Sequence, residues 1–337
     1  MDYDVLPAIY FLIIAFLTII FTSLITLYCV ATQYPTLKRS KKERTFYDVN
    51  SSSEQFFPSL KDPFSINLSV IVPAYDEEKR LPPMLDECLE FLENRQNINK
   101  SFKYEVIIVS DGSKDQTVKV ALEYNKKFGS DKVRILDLKP NRGKGGAVRM
   151  GVMSARGAVI LFADADGATK FSDFSKLEES LIELIKCDYI TDPKGAAELD
   201  GVVCGSRSHL EEESLATRSL FRTFLMHGFH FLVWSLAVRS IRDTQCGFKL
   251  FTRKSARALF SSIHVERWAF DVELLFLAEK LKIPISEICV NWTEIDGSKI
   301  VPVLSWLQMG RDLFLIWLRY KIGAWKVAGD LDKLKLE

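Results

Sequence analysis

The sequence has few of the residues that zinc sites and disulfide frameworks require. Its six cysteines form no CxxC pair, and its four histidines are too dispersed to complete a metal site. The cysteines are Cys29, Cys88, Cys187, Cys204, Cys246 and Cys289, and the histidines are His209, His227, His230 and His264. The spacing argues against both kinds of scaffold, and the cysteine usage fits a reducing compartment.

Two familiar phosphate-binding motifs are also missing. No GxxxxGK followed by Ser or Thr occurs, and no GxGxxG directly follows the first strand-like run. This argues against a P-loop NTPase and a classical dinucleotide-binding domain. The net charge of +1 gives no overall attraction to nucleic acid. A chain of 337 residues is long enough for one large domain with additions.

Charge is absent from Leu6 to Ala31. The stretch exceeds the roughly 20 residues that cross a bilayer, so it predicts a transmembrane helix. A cleaved signal peptide is the competing interpretation. However, Asp2 and Asp4 precede the stretch without any Lys or Arg, and no clear small-residue cleavage site follows it.

A basic cluster follows this apolar stretch: Lys38, Arg39, Lys41, Lys42 and Arg44. A basic flank marks the cytosolic side of a membrane segment, so the rest of the chain is predicted to face the cytosol. The glycosylation sequons would then stay unmodified; they begin at Asn50, Asn67, Asn99 and Asn291. Residues 45–63 are polar and contain two prolines, which predicts a tether.

From Ser65 onward, apolar runs alternate with segments of helical spacing. The strand-like runs are "INLSVIVPAY", "YEVIIVSDGS", "VRILDL" and "GAVILFADADG", and residues 81–92 and 117–128 are predicted helices. This alternation predicts an α/β fold with a mostly parallel sheet covered on both faces. Ligands of such sheets bind at the carboxyl ends of the strands.

Polar residues cluster at these strand ends. Asp164 and Asp166 follow the fourth run, and two such close carboxylates suit Mg²⁺ or Mn²⁺, although an Asx turn explains an isolated Asp-x-Asp equally well. Tyr75 follows the first run, Asp111 the second, and a glycine-rich segment with Lys144 the third. Four polar motifs at four successive strand ends predict one shared ligand site.

The order of these motifs resembles the family 2 glycosyltransferases with the Rossmann-like GT-A fold, which are inverting enzymes that use nucleotide-sugar donors. The match covers most of the chain after Ser65. Within that family, "NRGKGGAVRMG", "FADADGATKF", "DTQCGFKLF", "WAFDVELLFLAEK" and "EIDGSK" resemble the membrane-anchored members that glucosylate dolichyl phosphate. The resemblance implies UDP-glucose as donor, dolichyl phosphate as acceptor, Mg²⁺ or Mn²⁺ as cofactor, and an endoplasmic reticulum location.

The resemblance also implies roles for matching positions of this chain. The metal would be held by Asp164 and Asp166, and the implied catalytic residues are Asp166, Asp243 and Asp271, with Glu273 nearby. The implied donor-binding residues are Pro73, Tyr75, Glu77, Asp111, Lys144, Asp164 and Gln245. The family usually has Asp-Asp-Gly-Ser where this chain has Ser110-Asp111-Gly112-Ser113.

The expected organisation has four parts. Residues 1–31 form the membrane anchor, and residues 32–64 form the basic flank and the tether. Residues 65–300 form a cytosolic GT-A domain, with a donor half over about 65–200 and an acceptor half over about 201–300. Residues 301–337 form an amphipathic region at the membrane interface.

The predicted acceptor site combines fixed positive charge with apolar surroundings. Arg207 is predicted to lie in a turn, and Arg218 and Arg222 are four residues apart on one face of a predicted helix, where guanidinium groups suit phosphate oxygens. An ordinary solvated helix face is the alternative. The aromatic, almost uncharged segment 224–238 favours an interfacial helix instead.

The C-terminal region mixes aromatic and basic residues. Trp306, Trp317 and Trp325 alternate with bases there, a pattern typical of a membrane interface. A helix that packs on the protein's own core is the alternative.

The implied reaction needs no strong base. The acceptor phosphate would attack the anomeric carbon opposite UDP, and a phosphate monoester with a second pKa of about 6 is mostly dianionic at neutral pH. A mannosyltransferase that uses GDP-mannose would share this fold and acceptor. A non-catalytic, membrane-anchored module that binds nucleotide sugars is the alternative from another class of protein.

Overall fold

The computed structural model describes residues 5–210, 228, 238–297, 304–329 and 335–336. Within them the helices are α1 (Val5–Val30), α2 (Leu81–Ile98), α3 (Thr117–Phe128), α4 (Lys144–Val152), α5 (Phe174–Ile185), α6 (Pro193–Glu198), α7 (Arg253–Phe260), α8 (Phe270–Lys280) and α9 (Leu304–Lys321). The strands are β1 (Thr36–Leu37), β2 (Thr45–Asp48), β3 (Ser53–Phe56), β4 (Ile66–Ala74), β5 (Tyr104–Asp111), β6 (Val133–Leu138), β7 (Gly157–Ala163), β8 (Val202–Ser206), β9 (Phe248–Thr252), β10 (Ile285–Cys289) and β11 (Lys335–Leu336).

A seven-stranded sheet with the order β10-β8-β9-β7-β4-β5-β6 forms the centre of the protein. Every strand is parallel to the others except β9, which runs antiparallel to both β7 and β8. The strands β5 and β7 are buried along their whole length, as expected for a sheet covered on both faces. The predicted α/β class is confirmed, and the four predicted strands are β4, β5, β6 and β7.

Two apolar cores lie on the two faces of the sheet. One includes the buried faces of α4, α7 and α8, with Phe162 and Phe270 among its members. The other includes α2 and α5, with Phe171 and Phe174. Burial of these faces is the main stabilising contribution to the fold. It also fixes the strand ends, and with them the side chains that follow each strand.

The N-terminal helix α1 is apolar and exposed. Ile9–Val30 is a candidate span of 22 residues with a mean hydropathy of 2.5, and none of it is buried in the protein. Its length and composition meet the requirement for a membrane-spanning helix.

The segment predicted as a tether is folded onto the domain. The strands β2 and β3 form an antiparallel hairpin, and Val49 N–H donates to Asn125 Oδ1 at 3.0 Å. The Arg134 guanidinium lies 4.9 Å from the centre of the Phe46 ring, and Leu60 is fully buried in the core. The prolines and polar residues of this segment therefore mark turns in a packed structure. Composition alone does not distinguish a flexible tether from a packed segment with turns.

The C-terminal helix α9 packs on the core along one face. Leu313 and Tyr320 are buried, and the Trp325 ring beyond the helix stacks on His264 with centroids 4.2 Å apart. Trp325 therefore follows the core-packing alternative. Phe314 lies on the outer face and is 49% exposed, which leaves an apolar side chain facing outward.

Candidate active site

The carboxyl ends of β4, β5 and β7 and the loop after β6 meet at one edge of the sheet. Pro73 lies at the end of β4, and Asp111 is the last residue of β5. Lys144 begins α4, and Asp164 directly follows β7. The predicted strand-end motifs thus come together where an open α/β sheet binds its ligand.

The Asp111 carboxylate holds the glycine-rich loop. It accepts hydrogen bonds from the backbone N–H groups of Arg142 at 2.7 Å and Gly143 at 2.9 Å. Burial raises the pKa of Asp111, although these N–H groups offset part of the rise. The side chain implied to contact uridine therefore also fixes the loop that leads into Lys144.

Glycine is required where this loop enters α4. Gly143 has a φ of +82°, and a Cβ there would lie 2.8 Å from the Glu266 carbonyl oxygen. The Gly146 N–H donates to the same oxygen at 2.8 Å. Because the loop lies so tightly against Glu266, the position of Lys144 at the first turn of the helix is well defined.

Asp166 fits both interpretations of the Asp-x-Asp motif. Its Oδ1 accepts a hydrogen bond from Ala168 N–H at 3.0 Å, so it closes an Asx turn. Burial and then the neighbouring Asp164 raise the pKa of Asp166, while Lys144 and Arg80 offset part of the rise. Two crowded carboxylates of this kind favour a bound cation.

The surroundings of Asp164 fit a divalent metal. A Cβ at Gly247 would lie 1.9 Å from Asp164 Oδ2, so the carboxylate occupies space that only glycine leaves. No group of three or more His, Cys, Asp or Glu side chains suited to an ion occurs in the described part of the chain. The protein thus offers two carboxylates, and Mg²⁺ or Mn²⁺ often takes one or two carboxylates plus substrate phosphates.

Two lysines extend the charge cluster into the core. Lys144 Nζ lies 2.9 Å from the Asp164 carboxylate, and Lys249 Nζ lies 2.7 Å from Asp271 Oδ1. Burial alone would lower the pKa of Lys144, but Asp164 and then Asp271 outweigh it and raise the pKa. Burial would likewise lower the pKa of Lys249, but Asp271 together with Cys204 and Cys246 outweighs it and raises the pKa. Both ammonium groups therefore stay charged beside the carboxylates.

Arg207 and Asp243 form a bidentate pair. Arg207 Nε lies 2.7 Å from Asp243 Oδ2, and its NH2 lies 2.9 Å from Oδ1. Burial would raise the pKa of Asp243, but the hydrogen bonds and charge of Arg207 outweigh it and lower the pKa. Gln245 lies beside them, and its amide contacts Met309 Sδ at 3.1 Å. Asp243 is therefore a carboxylate held in its ionised form, and the Arg207 guanidinium at the carboxyl end of β8 is already paired with it.

Two glutamates of the predicted set have partners of their own. Glu77 forms a salt bridge of 2.6 Å with Arg80. Glu273, expected near the reacting centre, instead accepts hydrogen bonds from His264 N–H at 3.0 Å and Tyr320 OH at 2.8 Å. It ties the C-terminal region to the core. Arg218 and Arg222 lie outside the described residues.

Sequence reasoning missed Arg80 and Lys249. The charge of Arg80 acts on both Asp166 and Asp164, and Lys249 supports Asp271. A signal existed for Lys249, since a lysine within the apolar run "GFKLF" must find a buried partner. Arg80 stands in the polar run "DEEKR", where nothing distinguishes it from a solvated surface residue.

Comparisons with known proteins agree with this geometry. The profile of Glycosyl transferase family 2 matches residues 69–187. The chain is 64% identical to the dolichyl-phosphate beta-glucosyltransferase of Drosophila melanogaster and 58% identical to that of Homo sapiens, over 90% of this chain and 90% of each relative.

A solved structure supports the fold. Glucosyl-3-phosphoglycerate synthase from Mycobacterium tuberculosis, in complex with Mg²⁺ and UDP, aligns with a TM-score of 0.50 and 14% identity over 77% of this chain and 80% of that chain. The fold and the site together define a GT-A glycosyltransferase. The chain belongs to glycosyl transferase family 2 and, within it, to the dolichyl-phosphate beta-glucosyltransferases.

Proposed function

We propose that this protein transfers glucose from UDP-glucose to dolichyl phosphate with inversion of the anomeric carbon. The products are dolichyl β-D-glucosyl phosphate and UDP, and the former would serve as a glucose donor in N-glycan precursor assembly. The observation that carries the proposal is the contact of Lys144 with Asp164, beside Asp166, at the ligand edge of the sheet. It provides a lysine and a carboxylate pair where a sugar diphosphate would bind.

The donor site follows from these side chains. Pro73, Tyr75, Glu77 and Asp111 would line the uridine, and Gln245 would contact the sugar or the diphosphate. Asp164 and Asp166 would hold Mg²⁺ or Mn²⁺, which when bound supplies positive charge against the leaving diphosphate. Lys144 adds a permanent charge at the same place and stays protonated because Asp164 and Asp271 face it.

The carboxylates proposed for the reacting centre are tied to cations. Asp243 is paired with Arg207, and Asp271 is paired with Lys249. Arg207 lowers the pKa of Asp243, which makes it a weak base, whereas burial raises the pKa of Asp271 even with Lys249 and Lys144 beside it. The dianionic acceptor phosphate requires no base from either carboxylate. We assign both to positioning and electrostatics, with Asp271 acting on the charge of Lys144.

The acceptor would approach from the membrane. The apolar helix α1 would anchor the chain in the endoplasmic reticulum membrane as a single pass, with the catalytic domain in the cytosol. Arg218 and Arg222 would bind the lipid phosphate through paired hydrogen bonds. Arg207, whose Nε and one terminal nitrogen are held by Asp243, would add its charge and its remaining N–H donors. The exposed Phe314 on α9 supports a membrane-facing surface there, as expected of an interfacial helix.

Donor competition tests the proposed activity. The full-length protein in detergent, given dolichyl phosphate, Mn²⁺ and radiolabelled donor, should use UDP-glucose at least about a hundred-fold better than GDP-mannose, since a site that hydrogen-bonds its substrate rejects poor matches strongly. Omission of dolichyl phosphate is the control. Faster transfer from GDP-mannose would identify a mannosyltransferase, and binding without any transfer would identify a non-catalytic module.

Protease protection tests the proposed topology. In sealed microsomes, protease added from outside should degrade the catalytic domain, because five basic residues lie between positions 38 and 44, shortly after the apolar helix. The domain should be lost equally after permeabilisation, and a lumenal marker should be lost only then. A glycan on Asn99 or Asn291 would reverse the orientation.

A further inference from the structure

The segment that follows the N-terminal helix directly contacts the glycine-rich loop that leads into Lys144. We define residues 38–44 as the juxtamembrane clasp; it contains the 3-10 turn Lys41–Arg44. Glu43 in this turn is only 2% exposed, which is unusual for a carboxylate. Leu37, just before the clasp, is buried in the core. The clasp is therefore seated on the domain.

Glu43 forms a salt bridge and several hydrogen bonds with the side chain of Arg142. Its Oε1 lies 2.9 Å from Arg142 NH2 and 3.2 Å from Nε, and its Oε2 lies 3.1 Å from NH2. Oε2 also accepts the N–H of Ser40 at 2.8 Å, which holds the turn in shape. The Lys38 carbonyl oxygen accepts a further hydrogen bond from Arg142 NH2 at 2.8 Å. These bonds hold Arg142 in one place.

The clasp reaches both ends of α4. Arg142 stands two residues before the helix begins at Lys144. Arg39 in turn donates to Ser154 Oγ at 2.7 Å, two residues beyond the helix end, and to the Glu43 carbonyl oxygen at 2.6 Å. The helix that begins with Lys144 is thus bracketed by residues of the membrane-proximal segment.

Arg142 carries this restraint into the donor site through its own backbone. Its N–H and that of Gly143 both donate to the Asp111 carboxylate. The next residue, Lys144, contacts Asp164. A side chain held by Glu43 and a backbone bound to Asp111 belong to the same residue, so loosening one loosens the other.

We propose that Glu43 is a positioning residue of the donor site. It acts through Arg142 to hold the glycine-rich loop in the conformation that binds the sugar diphosphate. The clasp therefore contributes to donor binding without contacting the donor. The proposal rests on the donor assigned above. It predicts an effect on donor binding and on the order of the loop, with acceptor use unchanged.

The test compares Glu43→Ala and Glu43→Gln with a matched control, Glu178→Gln. Glu178 is also a buried partner of an arginine, Arg95, but it belongs to the packing of α5. Glu43→Ala should raise the KM for UDP-glucose about ten- to hundred-fold, as expected when a charged hydrogen-bonding partner is lost. The KM for dolichyl phosphate and kcat at saturating donor should stay within about two-fold. Glu43→Gln keeps part of the hydrogen bonding, so its KM for UDP-glucose should lie between those of the wild type and Glu43→Ala.

Hydrogen exchange gives a readout that does not depend on turnover. Amides of residues 139–147 should exchange faster in Glu43→Ala than in the wild type or in Glu178→Gln. The double variant Glu43→Ala with Arg142→Met should have the same KM for UDP-glucose as Arg142→Met alone, because Glu43 acts on the loop only through Arg142.

Unchanged exchange in residues 139–147 would overturn the proposal. So would a fall in kcat and acceptor use matching that of Glu178→Gln, since both would then reflect lost stability. If the wild type does not use UDP-glucose, the assigned function fails, while the exchange data still decide whether Glu43 orders the loop.

Discussion

Asp166→Asn is expected to lower turnover by about three orders of magnitude or more while the protein stays folded. A charge-stabilising metal is worth several kcal/mol in the transition state, and each 1.36 kcal/mol is about ten-fold in rate. Asparagine keeps the oxygen that accepts the Ala168 N–H, so the turn should survive. The substitution also removes repulsion with Asp164, which leaves little reason for instability.

The measurements are turnover, thermal unfolding and UDP affinity with and without Mn²⁺. In the wild type, added Mn²⁺ should strengthen UDP binding, and in Asp166→Asn this gain should be small. Asp192→Asn is the matched control, because Asp192 also accepts a backbone N–H, that of Gly195 at 2.9 Å, away from the site. A folded Asp166→Asn enzyme with near-normal turnover would contradict the metal assignment.

The local patterns of the sequence were enough to predict four strands of the sheet, β4 to β7, and the edge at which their carboxyl ends meet. Each of these four strands is a short apolar run that ends in a turn, and parallel strands bring their carboxyl ends to one edge. The pair Asp164 and Asp166 could be placed there because its strand and turn are contiguous in sequence. The strands β8, β9 and β10 are not among the predicted strands, and the run "FKLFT" of β9 also carries no signal that it runs antiparallel to its neighbours.

Partners far apart in sequence could not be predicted. Glu43 and Arg142 are separated by 99 residues, and Arg207 and Asp243 by 36. Nothing local to a charged residue says whether it meets solvent, substrate or an opposite charge. This is why the pairing of Arg207 with Asp243 is not predictable from the sequence, and why residues 45–63 are predicted to be a tether although they pack on the domain. Both features depend on packing that only the folded chain supplies.

The buried pair of Lys249 and Asp271 offers the second large effect. Lys249→Met should destabilise the protein by about 3 to 5 kcal/mol, because it leaves a carboxylate buried without its partner. The Lys249 side chain is fully buried and that of Asp271 is 4% exposed, so water cannot replace the lost contact. For a domain of this size the loss corresponds to a fall in Tm of roughly 6 to 20 °C. Lys254→Met, which breaks an exposed pair with Asp200, is the control and should change Tm little.

The double variant Lys249→Met with Asp271→Leu separates stability from chemistry. Replacement of a buried ion pair by apolar residues is often neutral for stability, so Tm should recover most of the loss. Recovery should be incomplete, because Lys249 also donates to the Cys246 carbonyl oxygen at 2.6 Å and that oxygen loses its partner. Turnover should nevertheless stay at least about a hundred-fold below the wild type, since Asp271 acts on the charge of Lys144 at the proposed diphosphate site. A stable double variant with wild-type turnover would show that Asp271 is only a structural residue. Because Asp243 is also held in an ion pair, by Arg207, Asp166 would then be the one carboxylate of the predicted catalytic set with a role beyond such a pair.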